Sequence, residues 1–525
     1  MDIRSGAAFI GCVLVLAAIL VSEYGDSFTF YFVGDDFAFV ELVSGAKGDI
    51  LWQSHSDWHY CPLGLLLNAL PAAFGVFEPA WYVLTGFVIF LSCAVMVLML
   101  YYEIERDIVG GLAAAVIYVT AIPQAEVIYW KTGNQTSAMA LFSLLALLLY
   151  IRYVRRGTRL AFVGCIVMYA ASMLSIEQGI VTLGIIFGYD LMFHSGPRFR
   201  EASDSGTRRQ LAVSFALRLL ILSVVPVSLT VLKAALGFQL SPLTSHPWWA
   251  IRFLFKDTLA RLVDFNNVLA PAFASRDAFQ LAGLLIFFLF FVWTVIRKNA
   301  SAFFFLVIGS GTMLTISIAA GGPNSRYFCL PLAFFACFLA VFFKGMAGMG
   351  VRALEGILPL SGRSAARWLR HLVFWGMCAA LAYVGYRGLI ARRTYWGLAS
   401  LIERNIVQGV ESYFVSGRVG PHQKVYLLNM PEHFGSEKYP IFYVGSHSLM
   451  PDLRHRLGVL SERVELIASG TLFEMTFMGE RFMYRALGRD RIVNKGDVKK
   501  LIDGGEVVLR FSPDLMGLVE TKVGP

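Results

Sequence analysis

Two adjacent carboxylates, Asp35 and Asp36, follow the first apolar segment of a chain that is mostly apolar over its first three quarters. Ionised side chains beside a membrane are costly unless they face water, a metal ion or a cationic substrate. A carboxylate in this position can act as a general base, or it can hold a divalent cation through its hard oxygen ligands. The acidic pair is therefore the first candidate for chemistry.

Two histidines follow the pair. His55 and His59 are spaced i, i+4, so they would share one face if that stretch is helical. His59 could bind a metal ion or a phosphate, or it could be an interfacial loop residue, which is the reading we favour for His55. Asp36 and His59 are candidate ligands for a divalent cation such as Mg²⁺ or Mn²⁺. Because no ligand set is complete, the metal dependence stays open.

The stretch from Glu126 to Gln135 combines a carboxylate, an indole (Trp130), a cation (Lys131) and two amides. Sugar-binding sites use this mixture, with aromatic faces against the ring and amides on the hydroxyls. The alternative is that Trp130 belongs to the aromatic belt of a membrane interface and that Lys131 anchors beside it.

Arg326 and Tyr327 open a late apolar segment, after a turn rich in glycine and proline. A guanidinium binds phosphate in a bidentate manner, so Arg326 could hold a lipid-linked phosphate. As a mere interface anchor it would face outward. Glu177, between two apolar segments, is expensive unless it has a partner.

Composition indicates that the membrane positions these residues. The chain has 525 residues, 57% of them hydrophobic and only 15% charged, with a mean hydropathy of +0.63. Soluble proteins carry roughly 25% charged residues. Apolar runs near the ~20 residues that cross a bilayer recur, and each must be helical because a helix satisfies its own backbone in lipid. About eleven spans are predicted, at 6–22, 80–101, 108–123, 136–151, 160–176, 179–193, 211–235, 278–296, 302–320, 327–343 and 372–390.

Basic residues set the predicted orientation. They concentrate in the loops after the even-numbered spans, at 152–159, 198–209, 297–298 and 344–370. The positive-inside rule then places the N-terminus in the cytoplasm, and the acidic pair, the Trp130 loop and the C-terminal tail outside. These anchors explain the net charge of +9, so we expect no nucleic-acid partner.

Ordinary soluble patterning replaces the apolar spans near residue 391. We predict a transmembrane domain over 1–391 and a soluble external (periplasmic) α/β domain over 392–525. The fold class is thus an α-helical polytopic membrane protein with a small C-terminal α/β domain. Within the latter, strands are predicted at 424–430, 440–445 and 506–511, and a helix at 497–504.

Taken in order, these residues resemble the type C glycosyltransferase superfamily, polytopic enzymes that use polyprenyl-phosphate-linked sugars. Protein O-mannosyltransferases and lipid A aminoarabinose transferases belong to it. The resemblance covers the whole chain in architecture, and Asp36 stands where the O-mannosyltransferase form has Glu. The matching motifs are Asp35-Asp36, His59-Tyr-Cys-Pro62-Leu63, the Trp130 loop and Arg326-Tyr-Phe-Cys-Leu-Pro331.

The resemblance implies a multi-pass enzyme of the bacterial inner membrane. It would move a sugar, with inversion, from a polyprenyl-phosphate donor to a hydroxyl of an acceptor glycan, lipid or protein on the external face. The general base would be Asp36 or Asp35, with Asp36 slightly favoured. The implied binding residues are His59, Glu126, Trp130, Lys131, Arg326 and Tyr327, with membrane lipids as further partners.

Two other functions stay open on the residues alone. A transporter or lipid-linked-glycan flippase would use the acidic pair as a proton or cation site. Transporters usually carry such charges near mid-membrane, on broken helices in two related halves, and the sequence shows neither feature. An O-antigen ligase or polymerase would depend on arginines in large external loops, and the acidic pair argues against it.

Overall fold

The computed structural model describes most of the chain, including seven of the ten residues that the sequence singles out as candidates for chemistry. Asp35 and His59 lie outside the described residues, and so does His55. The described residues are 3–33, 36–45, 60–75, 78–238, 248–266, 275–319, 325–357, 363–428, 430–436, 439–442, 446–467, 472–477, 480–486, 495–512 and 515–521.

Helices dominate the described part, as predicted. Nine of the described helical stretches are long and apolar enough to cross a membrane. The helices are α1 Ile3–Tyr24, α2 Asp36–Gly45, α3 Pro62–Ala72, α4 Pro79–Glu105, α5 Ile108–Val119, α6 Gln124–Tyr129, α7 Asn134–Arg156, α8 Arg159–Ser175, α9 Val181–Tyr189, α10 Gly196–Glu201, α11 Ser205–Ala235, α12 Trp248–Val263, α13 Arg276–Ile296, α14 Ala300–Ala319, α15 Cys329–Ile357, α16 Arg363–Val415, α17 Ser446–Leu457 and α18 Lys495–Asp503.

Two of the eleven predicted spans, 108–123 and 160–176, are shorter helices than a full crossing needs. They correspond to α5, with 12 residues, and α8, with 17. Helix α5 begins at the cap Asp107, whose carboxylate accepts from the backbone of Val109, and packs so closely on α4 that a Cβ on Gly111 would lie 2.8 Å from the Leu98 carbonyl oxygen. Because neighbouring helices shield α5, it need not present about 20 residues to lipid.

Helix α15 is the centre of the bundle. Of its most apolar stretch 78% is buried, against 11% for the first span. It packs against α4, α5, α7, α14 and α16, and Phe338 stacks between Phe335 and Phe342 with ring centroids 5.6 and 5.9 Å away. Arg326 and Tyr327 lie in the 3₁₀ turn Ser325–Phe328, which directly precedes this helix.

A buried ion pair joins α11 to the π-helical turn after α9. The turn, Asp190–Ser195, brings residues five apart onto one face, so Ser195 Oγ donates to Asp190 Oδ1 at 2.8 Å. Arg218 donates to Asp190 Oδ2 from Nη2 at 3.0 Å and from Nε at 3.1 Å, and Tyr150 also donates to that oxygen. Each charge therefore has the partner that a membrane interior requires.

Two four-stranded sheets follow α16, which confirms the smaller α/β part of the predicted fold class. One has the order β4-β1-β7-β8, with β1 parallel to β4 and β7. The other is antiparallel, in the order β3-β2-β6-β5. The strands are β1 Val425–Leu428, β2 Pro431–Ser436, β3 Tyr439–Phe442, β4 Val464–Ile467, β5 Leu472–Phe477, β6 Glu480–Ala486, β7 Val507–Ser512 and β8 Gly517–Glu520.

The predicted strands at 424–430, 440–445 and 506–511 correspond to β1, β3 and β7, and the predicted helix at 497–504 is α18. Helix α16 has 53 residues and runs without a break from the bundle to the sheets. The predicted division at 391–392 falls inside this helix, so the two-domain division stays a prediction whose boundary lies within one continuous element.

The buried ion pair gives a stability prediction. Arg218→Met leaves the Asp190 carboxylate buried without its cation, and we expect a loss of about 3–5 kcal/mol in the free energy of unfolding. The matched control is Lys344→Met, because Lys344 pairs with Asp107 at 2.8 Å with side chains 53% and 25% exposed. That surface pair should change stability by less than about 1 kcal/mol.

Unfolding in mixed detergent micelles with rising dodecyl sulfate, followed by tryptophan fluorescence, measures both variants. Equal small losses would show that the Asp190–Arg218 pair does not stabilise the bundle.

Candidate active site at one end of the helix bundle

Six elements meet at one end of the bundle and carry most of the predicted chemistry. Helix α2 packs against the 3₁₀ turn Lys131–Gly133 and against α17. Helix α6 packs against the turn Ser325–Phe328 and against α16, which in turn contacts α17. Residues far apart in the sequence are thereby brought together.

Asp36 lies in the first turn of α2, with its side chain fully buried at 0% exposure. Its Oδ2 accepts from the backbone N–H of Val33 at 3.0 Å, and its own N–H faces the Val33 carbonyl oxygen at 3.5 Å. A side chain that reaches back three residues to a free N–H is one half of a capping box. A carboxylate there is also favoured by the positive end of the helix dipole. The position of this carboxylate is therefore set by the backbone.

Lys131 is the buried cation beside this segment, with a side chain only 1% exposed. Its Nζ donates to the Tyr31 carbonyl oxygen at 2.7 Å and lies 5.8 Å from the ring centre of Phe32. Burial lowers the pKa of Lys131 to about 8, against the opposing effect of the Asp36 carboxylate, which raises it. The amine therefore titrates near neutral pH, within the electrostatic reach of Asp36.

Trp130, Arg326 and Tyr327 form a second group. The guanidinium of Arg326 lies 4.7 Å from the Trp130 ring centre and 5.1 Å from that of Tyr327, and its Nη2 donates to the Tyr327 hydroxyl at 3.2 Å. Cations favour the negative faces of aromatic rings in this way. Stacking uses the faces of the guanidinium, whereas the N–H groups that bind phosphate lie in its plane. The Trp130–Lys131 peptide bond joins this group to the first.

Glu126 lies on α6 with its side chain buried to 6% exposure. Its carbonyl oxygen accepts from the Trp130 N–H at 3.1 Å and closes the turn that presents the indole. Its predicted role in substrate binding stays a prediction.

Glu177 has two hydrogen-bonding partners, as its position between apolar segments predicts, although the sequence did not identify them. Its Oε1 accepts from Lys233 Nζ at 2.5 Å and from the backbone N–H of Tyr60 at 3.1 Å. The second contact holds the residue that directly follows His59 and precedes α3. No local pattern could pair Glu177 with a lysine 56 positions away.

A divalent-cation site needs more ligands than the described residues bring together. Among them, no group of three or more His, Cys, Asp or Glu side chains could hold a metal ion. Asp36 is described and His59 lies outside, so the predicted pair of ligands is not assembled from described residues.

No protein-family model and no curated protein matches the chain. Among solved structures it is similar in fold to the ArnT of Cupriavidus metallidurans bound to undecaprenyl phosphate, at 15% identity and a TM-score of 0.45, over 98% of this chain and 94% of that one. The apo form of the same protein matches at 14% identity and a TM-score of 0.47, over 97% and 94% of the two chains.

A third similar structure is the archaeal oligosaccharyltransferase AglB of Archaeoglobus fulgidus, in complex with an inhibitory peptide and a dolichol-phosphate. It matches at 14% identity with a TM-score of 0.45, over 86% of this chain, which spans only 64% of the archaeal chain. At this level of similarity the likeness concerns the fold alone.

The buried amine predicts how stability depends on pH. An unfolded lysine has a pKa of about 10.4, and burial in the fold lowers that of Lys131 to about 8. Between these values the unfolded chain binds the additional proton, so the free energy of unfolding should rise with pH. Below about pH 8 both states hold the proton and the contribution of Lys131 is flat.

Unfolding curves of the wild type and of Lys131→Met at a series of pH values isolate this contribution as a difference. We expect the stability of the wild type relative to the variant to increase between about pH 8 and pH 10.4. Parallel curves over that range would contradict a buried, titrating Lys131.

Proposed function

We propose that this protein is an integral-membrane glycosyltransferase that moves a sugar from a polyprenyl-phosphate donor to an acceptor hydroxyl on the external face, with inversion. The observation that supports it best is the pairing of opposite charges at one end of the bundle. Asp36, a carboxylate in the first turn of α2, lies within electrostatic reach of the buried ammonium of Lys131. The guanidinium of Arg326 lies against the ring of Trp130, the residue before Lys131.

The proposed reaction uses Asp36 as the general base, with Asp35 as the alternative. The carboxylate takes the proton of the acceptor hydroxyl while that oxygen attacks the anomeric carbon from the face opposite the phosphate. The bond between the anomeric carbon and the phosphate oxygen breaks, and polyprenyl phosphate leaves with the electron pair. General-base assistance of this kind is typically worth about 10²–10⁴-fold in rate.

The leaving phosphate gains negative charge, and fixed cations that face it lower the barrier. Lys131 has three N–H donors, of which one is bound to the Tyr31 carbonyl oxygen. Arg326 is held by Trp130 and Tyr327 in an orientation that is set before the substrate arrives. His59 completes the predicted set of phosphate-binding residues.

The sugar ring would lie near Trp130. One face of the indole is covered by the Arg326 guanidinium at 4.7 Å, so the opposite face would receive the sugar. Glu126, on the same short helix, is the predicted polar partner for its hydroxyls.

The proposal extends to location. We infer a multi-pass protein of the bacterial inner membrane, with a cytoplasmic N-terminus and an external C-terminal part, since basic residues concentrate in the loops after the even-numbered spans that the sequence predicts. Asp36 and His59 stay candidate ligands for a divalent cation, so the transfer assay includes arms with Mg²⁺, with Mn²⁺ and with a chelator.

Substitution of the base tests the function directly. In Asp36→Asn the amide oxygen can still accept from the Val33 N–H, so the fold should persist while the base is lost. We expect sugar transfer by reconstituted protein, from a panel of radiolabelled polyprenyl-phosphate sugars, to fall by about 10²–10⁴-fold. Asp35→Asn, measured alongside, shows which carboxylate is the base.

The control is Asp26→Asn. Asp26 precedes the same segment and pairs with Arg393 at 3.2 Å, but its side chain is 59% exposed. Its transfer rate should stay within about twofold of the wild type, since exposed ion pairs contribute little. Full transfer in both Asp35→Asn and Asp36→Asn would reject the mechanism. Absence of transfer in the wild type, with transbilayer movement of the lipid, would favour the flippase.

A further inference from the structure

Tyr31 makes contacts that the proposed chemistry does not use. Each of its polar groups is bound by a different element of the fold. Its N–H donates to Ser400 Oγ on α16, its carbonyl oxygen accepts from Lys131 Nζ, and its hydroxyl donates to Asp452 Oδ2 on α17 at 2.7 Å. Ser400, Lys131 and Asp452 lie 369, 100 and 421 positions away along the chain, respectively.

Arg456, on α17 of the C-terminal part, donates hydrogen bonds to Tyr31 and to two carboxylates. Its Nη2 donates to the Tyr31 hydroxyl at 2.7 Å, its Nε to Asp452 Oδ1 at 3.0 Å, and its Nη1 to Glu411 Oε2 on α16 at 3.2 Å. Its guanidinium and that of Arg404 lie 5.8 and 5.6 Å from the Tyr31 ring centre. A planar fork that makes three directed hydrogen bonds is rigid in a way that a lysine is not.

Tyr31 is close in the chain to the residue that holds the proposed base, and it also binds Lys131. Val33, two residues on, supplies the N–H that holds Asp36 Oδ2 at 3.0 Å, and the Tyr31 carbonyl oxygen accepts a hydrogen bond from Lys131 Nζ. Asp452 is fully buried at 0% exposure, and hydrogen bonds to a group that is shielded from water are electrostatically stronger than those in water. Burial also raises the pKa of Tyr31, which keeps its hydroxyl a donor.

We infer that Arg456 and Asp452 of the C-terminal part are positioning residues, which hold Asp36 and Lys131 in their reactive arrangement through Tyr31. This inference rests on the proposed function for its catalytic consequence, but the positioning can be measured without turnover. It gives the C-terminal α/β part a role at the site, in addition to whatever acceptor it binds.

The test uses the reactivity of two buried amines. In the full-length reconstituted wild type, Lys131 should resist acetylation by sulfo-N-hydroxysuccinimide acetate, as read by peptide mass spectrometry. Tyr31→Phe deletes only one hydroxyl, and Arg456→Met deletes the fork. We expect at least about fivefold faster labelling of Lys131 in both variants.

Lys233 is the internal control, because it is also buried, at 7% exposure, and pairs with Glu177 away from Tyr31. Its labelling should not change. If Arg456→Met exposes both amines, that variant has unfolded and Tyr31→Phe alone decides the outcome. The matched surface variant is Glu465→Gln, which breaks the exposed Lys424–Glu465 pair of the C-terminal part and should leave Lys131 protected.

Transfer kinetics supply the second measurement. Tyr31→Phe should lower kcat by about tenfold, which is about 1.4 kcal/mol in the activation free energy, and should leave KM within about twofold. Combining Tyr31→Phe with Arg456→Met should cost no more than the worse single variant, because both break one network.

Unchanged protection of Lys131 in Tyr31→Phe would overturn the inference, whatever the activity. Loss of protection in a protein that transfers no sugar even as wild type would support the positioning and reject the proposed function.

Discussion

A lysine ammonium with a side chain only 1% exposed is the constraint around which one end of this molecule is arranged. Removing such a group from water costs several kcal/mol unless other groups replace its hydration. Here the Tyr31 carbonyl oxygen accepts from it at 2.7 Å, the face of Phe32 lies 5.8 Å away, and the Asp36 carboxylate favours its charged form. All three require the backbone at Tyr31 and Phe32 and the side chain of Asp36 to keep one conformation.

That conformation depends on distant parts of the chain. Helix α16 has 53 residues, so at 1.5 Å a residue it is about 80 Å long, well beyond the ~30 Å of a hydrocarbon core. Its length lets one rigid element pack against α15 in the bundle and still carry Ser400 and Glu411 to the site. The sheets that follow place α17 on the other side of Tyr31. Membrane-spanning and C-terminal parts thus share a single polar network.

Much of the architecture could be predicted from the sequence, since it follows from the length and polarity of apolar runs. The cost of charge near lipid also singled out Asp36 and Glu177 as residues that need partners. The spans predicted at 108–123 and 160–176 correspond to helices of 12 and 17 residues, shorter than a full crossing needs, because apolar content does not tell a helix shielded by protein from one exposed to lipid. Asp35 and His59, outside the described residues, keep the roles that the sequence predicts for them.

The partners themselves could not be predicted. Tyr31 lies in the run Phe28-Thr-Phe-Tyr-Phe32, where nothing distinguishes its hydroxyl from the neighbouring aromatic bulk. Asp452 and Arg456 are an i, i+4 pair of the kind that many helix surfaces carry, and only the tertiary fold brings them to a residue 421 positions earlier. The Lys233–Glu177 pair was hidden in the same way. Long-range polar contacts have no periodicity that a single sequence could show.

The most direct measurement is the configuration of the transferred sugar. Reconstituted protein is given a polyprenyl-phosphate sugar of known anomeric configuration with a panel of hydroxyl acceptors, and the product is read by nuclear magnetic resonance. A single displacement assisted by Asp36 predicts a product of inverted configuration that is absent in Asp36→Asn. A product of retained configuration, or equal product from the variant, would contradict it.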